Sequence, residues 1–260
     1  MYQTRIDSGH PQLIVFAVDR SESTDDLVNV AGSQRPICEL IAQTLNRTIV
    51  QVAHTCRPRG VLRDYAYVSA IMYGNDQATV GFGGALGDRP IVPITELIAN
   101  PLDFHEGDPV WITPLAKGST PMCAGLNQCV TVLGSWCAEH PEAPAPIVMH
   151  ITDGESTDGG PKAAMQRIVQ VGTNDGPTIL FNIHLSKHSG QAERYPETAE
   201  HLQDPFAELL FNLSSVLPEH MRKAARRFGL EVGDSARAMV FNAEPADLWQ
   251  ALSVGTVLNR

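Results

Sequence analysis

Two hydrophobic patterns alternate along this chain, one typical of buried strands and the other of amphipathic helices. Residues 13–18 (LIVFAV) and 147–152 (IVMHIT) are almost continuously apolar, which suits strands covered on both faces of a parallel sheet. Residues 63–74 (RDYAYVSAIMYG) alternate with a period of two and predict another strand. Two later runs, 177–186 (PTILFNIHLS) and 236–243 (ARAMVFNA), have the same character.

Apolar residues recur at helical spacing between these strands. The spacing predicts helices over residues 36–45, 121–139, 161–171, 206–213, 218–228 and 245–252. Strands that alternate with helices indicate an α/β fold, a doubly wound and mostly parallel sheet flanked by helices. With no low-complexity segment or charge block to mark a boundary, we expect residues 1–12 to form an N-terminal tail and 13–260 a single domain.

Two connections are less regular. Glycines in residues 81–87 and the run 89–93 suggest a glycine-broken hairpin or edge ribbon. Residues 97–119 are expected to form a long connection before the helix that starts at about Pro121.

Composition and charge exclude several classes of function. The chain has 260 residues, 43% hydrophobic and 18% charged, with 29 acidic against 19 basic side chains and a formal charge of −10. Such a surface repels phosphate backbones and anionic membranes. No apolar run spans a bilayer and the N-terminus does not read as a signal peptide, so a cytoplasmic protein is expected. The five cysteines are scattered, without a C-x-x-C pair.

One local exception to the acidic character is PEHMRKAARRFG. Arg222, Lys223, Arg226 and Arg227 lie on one flank of a predicted short helix, near its C-terminus. They form either a solvated helix face or a docking patch for an acidic partner.

Candidate chemistry gathers where strands end. Asp19-x-Ser21-x-Ser23 follows the first strand, GSTP (118–121) precedes a helix, and TDGES (152–156) follows the strand 147–152. In doubly wound sheets, ligands collect outside the carboxyl ends of strands, so Asp19 and Asp153 are expected at one edge. Each segment alone has a structural explanation: Asp and Ser cap turns, Thr120 caps a helix, and Asp-Gly is a turn.

The three segments together resemble the metal-ion-dependent adhesion site of the von Willebrand factor type A family. That pattern is D-x-S-x-S, then a threonine, then an aspartate, and it falls on Asp19, Ser21, Ser23, Thr120 and Asp153. The resemblance implies a Rossmann-like fold and a site for Mg²⁺, with Mn²⁺ or Ca²⁺ as alternatives. Oxygen ligands suit such hard cations. Few direct anionic ligands leave the ion electrophilic, so the resemblance implies recruitment of a carboxylate from a protein partner rather than catalysis.

Position in these loops places Arg20, Glu22 and Glu155 around the metal, where we expect them to tune partner choice. This chain departs from the family pattern at Glu22, which stands where the family has glycine between the two serines. The departure removes no ligand but adds a negative charge beside the site.

Longer phrases are similar to one branch of the family, the small bacterial cytoplasmic members encoded beside tellurite-resistance and stress operons. These phrases are RDYAYVSAIMYG, GSTPMCAGL, HITDGESTDGG and VFNAEPADLWQAL. The similarity implies a Ser/Thr kinase or a metal-dependent phosphatase as partner.

Other readings start from the same residues. An aspartate after a first strand is typical of phosphoester hydrolases and phosphotransferases that use it as nucleophile, although Ser21 then stands where a second acid is needed. A metal-independent scaffold would use these residues only as caps. His184 and His188 have a spacing that binds metal on a helix, but they fall at a strand end, where that spacing does not align side chains.

Overall fold

A computed structural model describes residues 1–30, 32–185, 192–202 and 204–259 of the chain. Its strands are β1 (Gln12–Asp19), β2 (Leu27–Val30), β3 (Ser33–Pro36), β4 (Ala66–Gly74), β5 (Gln77–Val80), β6 (Val92–Pro93), β7 (Asp103–His105), β8 (Asp108–Val110), β9 (Ile147–Thr152), β10 (Gly172–Thr173), β11 (Gly176–Pro177), β12 (Ile179–Leu185), β13 (Glu193–Arg194) and β14 (Met239–Ala243). Its α-helices are α1 (Ile37–Thr55), α2 (Ile94–Ala99), α3 (Met122–Glu139), α4 (Lys162–Gln170), α5 (Pro205–Leu213), α6 (Glu219–Arg227) and α7 (Pro245–Gly255).

The central sheet has the order β13-β14-β12-β9-β1-β4-β5, and β6 also pairs with β4. The five inner strands β14, β12, β9, β1 and β4 run parallel, whereas β5, β6 and β13 pair antiparallel at the margins. The predicted α/β fold with a mostly parallel sheet is therefore confirmed.

Helices cover both faces of this sheet, which explains the continuous apolar runs. Ile14, Phe16 and Val18 of β1 pack in the core that includes α1 and α7. The intervening residues of β1 pack in a second core, with α3, α4 and α5. All eight residues of β1 are buried, and the strand lies at the centre of the domain.

The order of the strands reverses at β1. The chain leaves β1, passes through α1 and returns in β4 on one side of it; it then passes through α3 on the other face and enters β9 on the opposite side of β1. Such a reversal opens a crevice at the carboxyl ends of the strands. The residues that follow β1 and β9 flank this crevice.

Several predicted boundaries were wrong. Helix α1 continues ten residues beyond the predicted end at residue 45, because apolar residues keep helical spacing through Val52. Of the two alternatives for residues 81–93, the hairpin does not form, because β5 pairs with β4 through the turn at Asn75–Asp76. The edge alternative holds for two residues, since β6 pairs antiparallel with β4 at the margin of the sheet. The long connection 97–119 contains the end of α2 and the hairpin β7–β8.

The N-terminal tail packs on the domain. Tyr2 N–H donates to the Asp175 carbonyl and Ile6 N–H to the Asn259 carbonyl, both at 2.9 Å, and Ile6 is buried. The division into a tail and one domain stays a prediction.

Candidate metal centre

The first loop of the candidate site is fixed by the end of β1. Asp19 is the last residue of the strand, where parallel pairing continues to Tyr73 of β4. The Asp19 carboxylate accepts the Ser21 N–H at 2.9 Å, and Thr24 O–H donates to the Ser21 carbonyl at 2.8 Å. These bonds close a short 3₁₀ turn over Glu22–Asp25 and hold Ser21 in the buried part of the loop.

Side chains connect this loop to the loop after β9. Ser23 O–H donates to the Asp153 carboxylate at 2.9 Å, and the Ser21 and Ser23 hydroxyl oxygens are 3.0 Å apart. Thr152 O–H lies 2.8 Å from the second carboxylate oxygen of Asp19. Residues 130 positions apart in sequence thus share one small polar cluster.

The loop that carries Thr120 lies between the other two. Its Gly118 carbonyl accepts the Glu22 N–H at 2.9 Å. On the other side, Thr120 N–H donates to the Thr157 hydroxyl at 3.0 Å, and Thr157 N–H donates to the Thr120 carbonyl at 2.9 Å. Backbone contacts therefore bring the three predicted segments together, with Thr120 buried among them.

Helix capping does not account for Thr120. Helix α3 begins at Met122 and its first residue outside the helix, Pro121, makes no side-chain cap. The Asp158 carboxylate instead accepts the N–H groups of Cys123 and Ala124, each at 2.9 Å. The prediction that Thr120 caps α3 was therefore wrong, because Asp158, from the loop after β9, caps the helix instead.

Glycine is needed at two positions where the loops approach each other. A Cβ atom on Gly74 would lie 2.6 Å from the Arg20 carbonyl oxygen. Gly118 has φ +67°, and a Cβ there would lie 2.7 Å from the Asn75 Cα. The first approach packs the loop after β1 against the end of β4, and the second packs the Thr120 loop against the β4–β5 turn.

Burial makes the cluster electrostatically unfavourable for an anion. It raises the pKa of Asp19 to about 6; hydrogen bonds from Ser21 oppose the shift, and the charge of Asp153 adds to it. The same two carboxylates help to raise the pKa of Tyr73, after burial as the main cause. Two interacting carboxylates, one of them 1% exposed, are a place where a cation is stabilised.

The donor set fits a hard divalent cation. Two carboxylates and three hydroxyls offer only oxygen, the ligand type that Mg²⁺, Mn²⁺ and Ca²⁺ take. Within residues 1–30, 32–185, 192–202 and 204–259, no three His, Cys, Asp or Glu side chains are grouped to hold a metal. The arrangement is therefore unlike the nitrogen- and sulfur-rich sites of zinc.

The predicted rim residues differ in their surroundings. Glu22 and Glu155 are exposed on the first and third loops. Arg20 instead directs its guanidinium to the Thr113 carbonyl, at 3.0 Å. Their influence on partner choice stays a prediction.

Thr152 is a residue of the cluster that the sequence interpretation did not assign. It is fully buried and its hydroxyl also lies 2.9 Å from the Gly154 carbonyl, so it braces both Asp19 and the turn. Its position at the end of an apolar strand, directly before Asp153, was the available signal.

The basic helix has a structural use for part of its charge. Arg222 donates to the Leu217 carbonyl at 2.8 Å, and Arg226 donates to the Val232 carbonyl at 2.6 Å. Lys223 pairs with Glu219 one turn earlier. Two of the four cations therefore fasten neighbouring loops to α6.

The surroundings of His184 do not support a metal site formed by His184 and His188. His184 stacks on Phe241 with ring centroids 4.3 Å apart, and burial lowers its pKa to about 4. His188 lies outside the described residues.

Comparisons with known proteins return matches among solved structures. No family model matches the chain, and no curated protein matches it. Solved structures do match, among them manganese-loaded Plasmodium vivax TRAP protein, at 15% identity, 82% coverage of this chain, 67% coverage of that chain and a TM-score of 0.39. At this TM-score the architecture rests on the chain's own sheet, and the family assignment stays a prediction.

Two further structural features concern membrane-spanning helices and surface cavities. In the described part of the chain, no helix has the length and apolarity needed to cross a bilayer. A groove of about 520 Å³ lies between α1 and the β7–β8 hairpin, and none of the five predicted ligands lines it. A crevice beside Asp19, Arg20 and Ile112 measures about 10 Å³, and the other four predicted ligands do not line it.

Proposed function

We propose that this chain is a von Willebrand factor type A-like interaction module that binds Mg²⁺ and recruits a carboxylate of a protein partner. The observation that carries this proposal is the meeting of Asp19, Ser21, Ser23 and Asp153 at the carboxyl ends of β1 and β9. Backbone hydrogen bonds hold the Thr120 loop between them, and the Thr120 hydroxyl is the fifth ligand of the proposed site. When bound, the cation supplies an electrophilic position for an oxygen from outside the chain.

Each residue has a separate task in this function. Asp19 and Asp153 supply the negative charge that offsets the cation, and the three hydroxyls of Ser21, Ser23 and Thr120 supply neutral oxygen ligands. Thr152 positions Asp19 through its 2.8 Å hydrogen bond. Mn²⁺ or Ca²⁺ can take the same oxygens, so the choice of ion depends on the size of the site and on supply.

Recognition fits the surroundings of Asp19 better than catalysis does. Ser21, at the position where a phosphotransferase needs its second acid, contacts Ser23 and has no acidic function. A phosphoester hydrolase or phosphotransferase using Asp19 is therefore the second candidate, and a metal-independent scaffold is the third.

The resemblance to the tellurite-resistance-associated branch supports a cellular setting for this proposal. We infer a role in a bacterial cytoplasmic stress or signalling complex, with a Ser/Thr kinase or a metal-dependent phosphatase as the partner. The similarity lies in the phrases RDYAYVSAIMYG, GSTPMCAGL, HITDGESTDGG and VFNAEPADLWQAL.

Calorimetric titration with Mg²⁺ tests the metal site. Asp19→Asn preserves the shape of the side chain and removes its charge, so we expect Mg²⁺ affinity to fall at least about 100-fold. Asp88→Asn, which removes an exposed carboxylate elsewhere, is the matched control and should bind like wild type. Thermal melting without metal checks that both variants are folded.

Two results would contradict the proposal. Equal Mg²⁺ affinity in wild type and Asp19→Asn would remove the metal site and favour the scaffold. Turnover of p-nitrophenyl phosphate by wild type, lost in Asp19→Asn, would favour the enzyme.

A further inference from the structure

Acidic side chains surround the candidate metal centre on several loops. We define the acidic rim as five exposed residues: Glu22, Asp25, Asp76, Glu155 and Asp158. They come from the first loop, the β4–β5 turn and the third loop, which are distant in sequence. A single charged segment is therefore not responsible for the pattern.

Hydrogen bonds hold three of the five rim residues beside the loops of the candidate site. Glu22 is held to the Thr120 loop through its N–H and the Gly118 carbonyl. Asp76 accepts the Ser119 hydroxyl, next to Thr120. Asp158 accepts two N–H groups at the start of α3 and the Ser156 hydroxyl at 2.7 Å.

Positive charge on the same segments does not balance this rim. Lys117 is exposed on the second loop, and Lys162 starts α4 after the third loop. Arg20 turns its guanidinium to the Thr113 carbonyl. Asp26, also exposed, adds another carboxylate on the first loop, so acidic groups outnumber basic ones here by six to three.

A bound divalent cation does not change this balance. Its two positive charges offset Asp19 and Asp153, which leaves a centre with little net charge inside a negative rim. A partner with only acidic side chains would be attracted to the ion only when its carboxylate reaches the metal. At longer range the negative rim would repel it, since charges interact over a Debye length of about 8 Å at physiological salt. The approach therefore needs positive charge on the partner.

We propose, resting on the function above, that the partner presents its metal-binding carboxylate flanked by arginine or lysine residues. The carboxylate completes the shell of the ion and the flanking cations pair with the acidic rim. Specificity then has two parts. A partner carboxylate with neutral neighbours lacks the attraction to the acidic rim, and a partner carboxylate with acidic neighbours is repelled by it.

Four labelled cyclic peptides test this inference by fluorescence anisotropy. Three have a central Asp flanked on both sides by Arg, Gln or Glu, and the fourth has a central Asn flanked by Arg. In Mg²⁺ we expect the Arg-flanked Asp peptide to bind about tenfold tighter than the Gln-flanked one, and the Glu-flanked peptide to bind weakest. Chelation by EDTA and the central Asn should each abolish binding.

A rim variant shows whether these residues cause the preference. Glu22→Gln with Glu155→Gln neutralises two exposed side chains and should reduce the Arg-over-Gln ratio to below about threefold. Glu139→Gln with Glu231→Gln changes net charge equally at exposed positions outside these loops and should keep the ratio. Mg²⁺ calorimetry on both variants separates effects on the ion from effects on the partner.

The outcomes distinguish this inference from the proposed function. Mg²⁺-dependent binding of all three Asp peptides with equal affinity, or best binding with Glu flanks, overturns the basic-flank inference and leaves the metal-dependent function standing. Binding that ignores Mg²⁺, or that is equal for Asp and Asn, overturns both. A ratio that survives in the rim variant overturns the role of the rim.

Discussion

Two polar clusters lie on the same face of the sheet and are built differently. The metal-edge cluster, made of Asp19, Ser21, Ser23, Thr152 and Asp153, has interacting carboxylates beside hydroxyls. The other cluster, which we name the buried ladder, consists of Tyr73, His150, Asn182 and Ser214, each at most 1% exposed.

Each group of the buried ladder has a neutral partner. Ser214 O–H donates to the Leu210 carbonyl at 2.7 Å, so its oxygen accepts from the Asn182 amide at 2.9 Å. The Asn182 carbonyl oxygen then accepts from His150 Nδ1, and His150 Nε2 accepts from Tyr73 O–H, both at 2.9 Å. This order fixes one neutral tautomer of His150.

The two clusters differ in how their polar groups are balanced. The ladder crosses β4, β9 and β12 with its donors and acceptors matched, as a stable core requires. The metal-edge cluster concentrates carboxylates in a place that raises the pKa of Asp19 to about 6. We therefore expect this cluster to hold a ligand of opposite charge.

The largest effect is expected from breaking the ladder. Asn182→Ala leaves the His150 Nδ1–H without its acceptor and the Ser214 oxygen without its donor, so the free energy of unfolding should fall by about 3 kcal/mol. Urea denaturation measures it. Mg²⁺ affinity of the folded variant should stay close to wild type, and a loss of affinity would show that the two clusters are not independent.

The pH dependence of stability sharpens the comparison. Burial lowers the pKa of His150 to about 4, so between about pH 6.5 and pH 4 the unfolded chain binds a proton that the folded chain does not. This contribution is complete above about pH 6.5 and is lost as pH falls through the window, by up to about 3 kcal/mol. Asp19 acts in the opposite direction, because its folded pKa lies above its ordinary value.

Urea denaturation of wild type and His150→Gln between pH 4 and 7 isolates the histidine. We expect the variant to be less stable at pH 7 and the difference to shrink toward pH 4. Asp19 and His184 are present in both proteins, so their titrations cancel. A difference that is constant with pH would contradict the lowered pKa of His150.

The sequence predicted the metal-edge cluster better than the ladder, for a physical reason. Asp19 and Asp153 end apolar runs, and the sheet topology brings such ends together. His150 and Asn182 lie inside runs that read as ordinary buried strands, and their pairing depends on register between β9 and β12. Register is a long-range property that hydrophobic pattern does not give.

Dependence on long-range contacts also explains why the connection over residues 97–119 was predicted wrongly. Trp111 and Ile112 are held to α1 because both N–H groups donate to the Asn46 side chain at 3.0 Å. That anchor joins residues 65 positions apart, so the sequence of 97–119 alone reads as loop. Helix lengths were better predicted where glycine or proline ends the pattern, as at α4 and α6.

A smaller effect is expected where loop geometry supports the metal edge. Gly118→Ala places a Cβ against the Asn75 backbone at a positive φ, so stability should fall by about 2 kcal/mol and Mg²⁺ affinity should fall as the loop shifts. Gly134→Ala, at an open position in α3, is the matched control and should raise stability by about 0.5–1 kcal/mol. Full Mg²⁺ affinity in Gly118→Ala would mean that the second loop is not needed for the ion.

The smallest effect is expected from a single hydroxyl ligand. Thr120→Ala removes one neutral oxygen that a water can replace, so we expect Mg²⁺ affinity to fall about tenfold, about 1.4 kcal/mol, whereas Thr120→Ser should bind like wild type. Thr157→Ala removes the acceptor of the Thr120 N–H and so measures how much of the loss comes from loop packing alone. If calorimetry gave equal affinities for the Ala and Ser variants, the cation would be held by the Asp19 and Asp153 loops alone, and the metal-edge cluster would be a two-loop site.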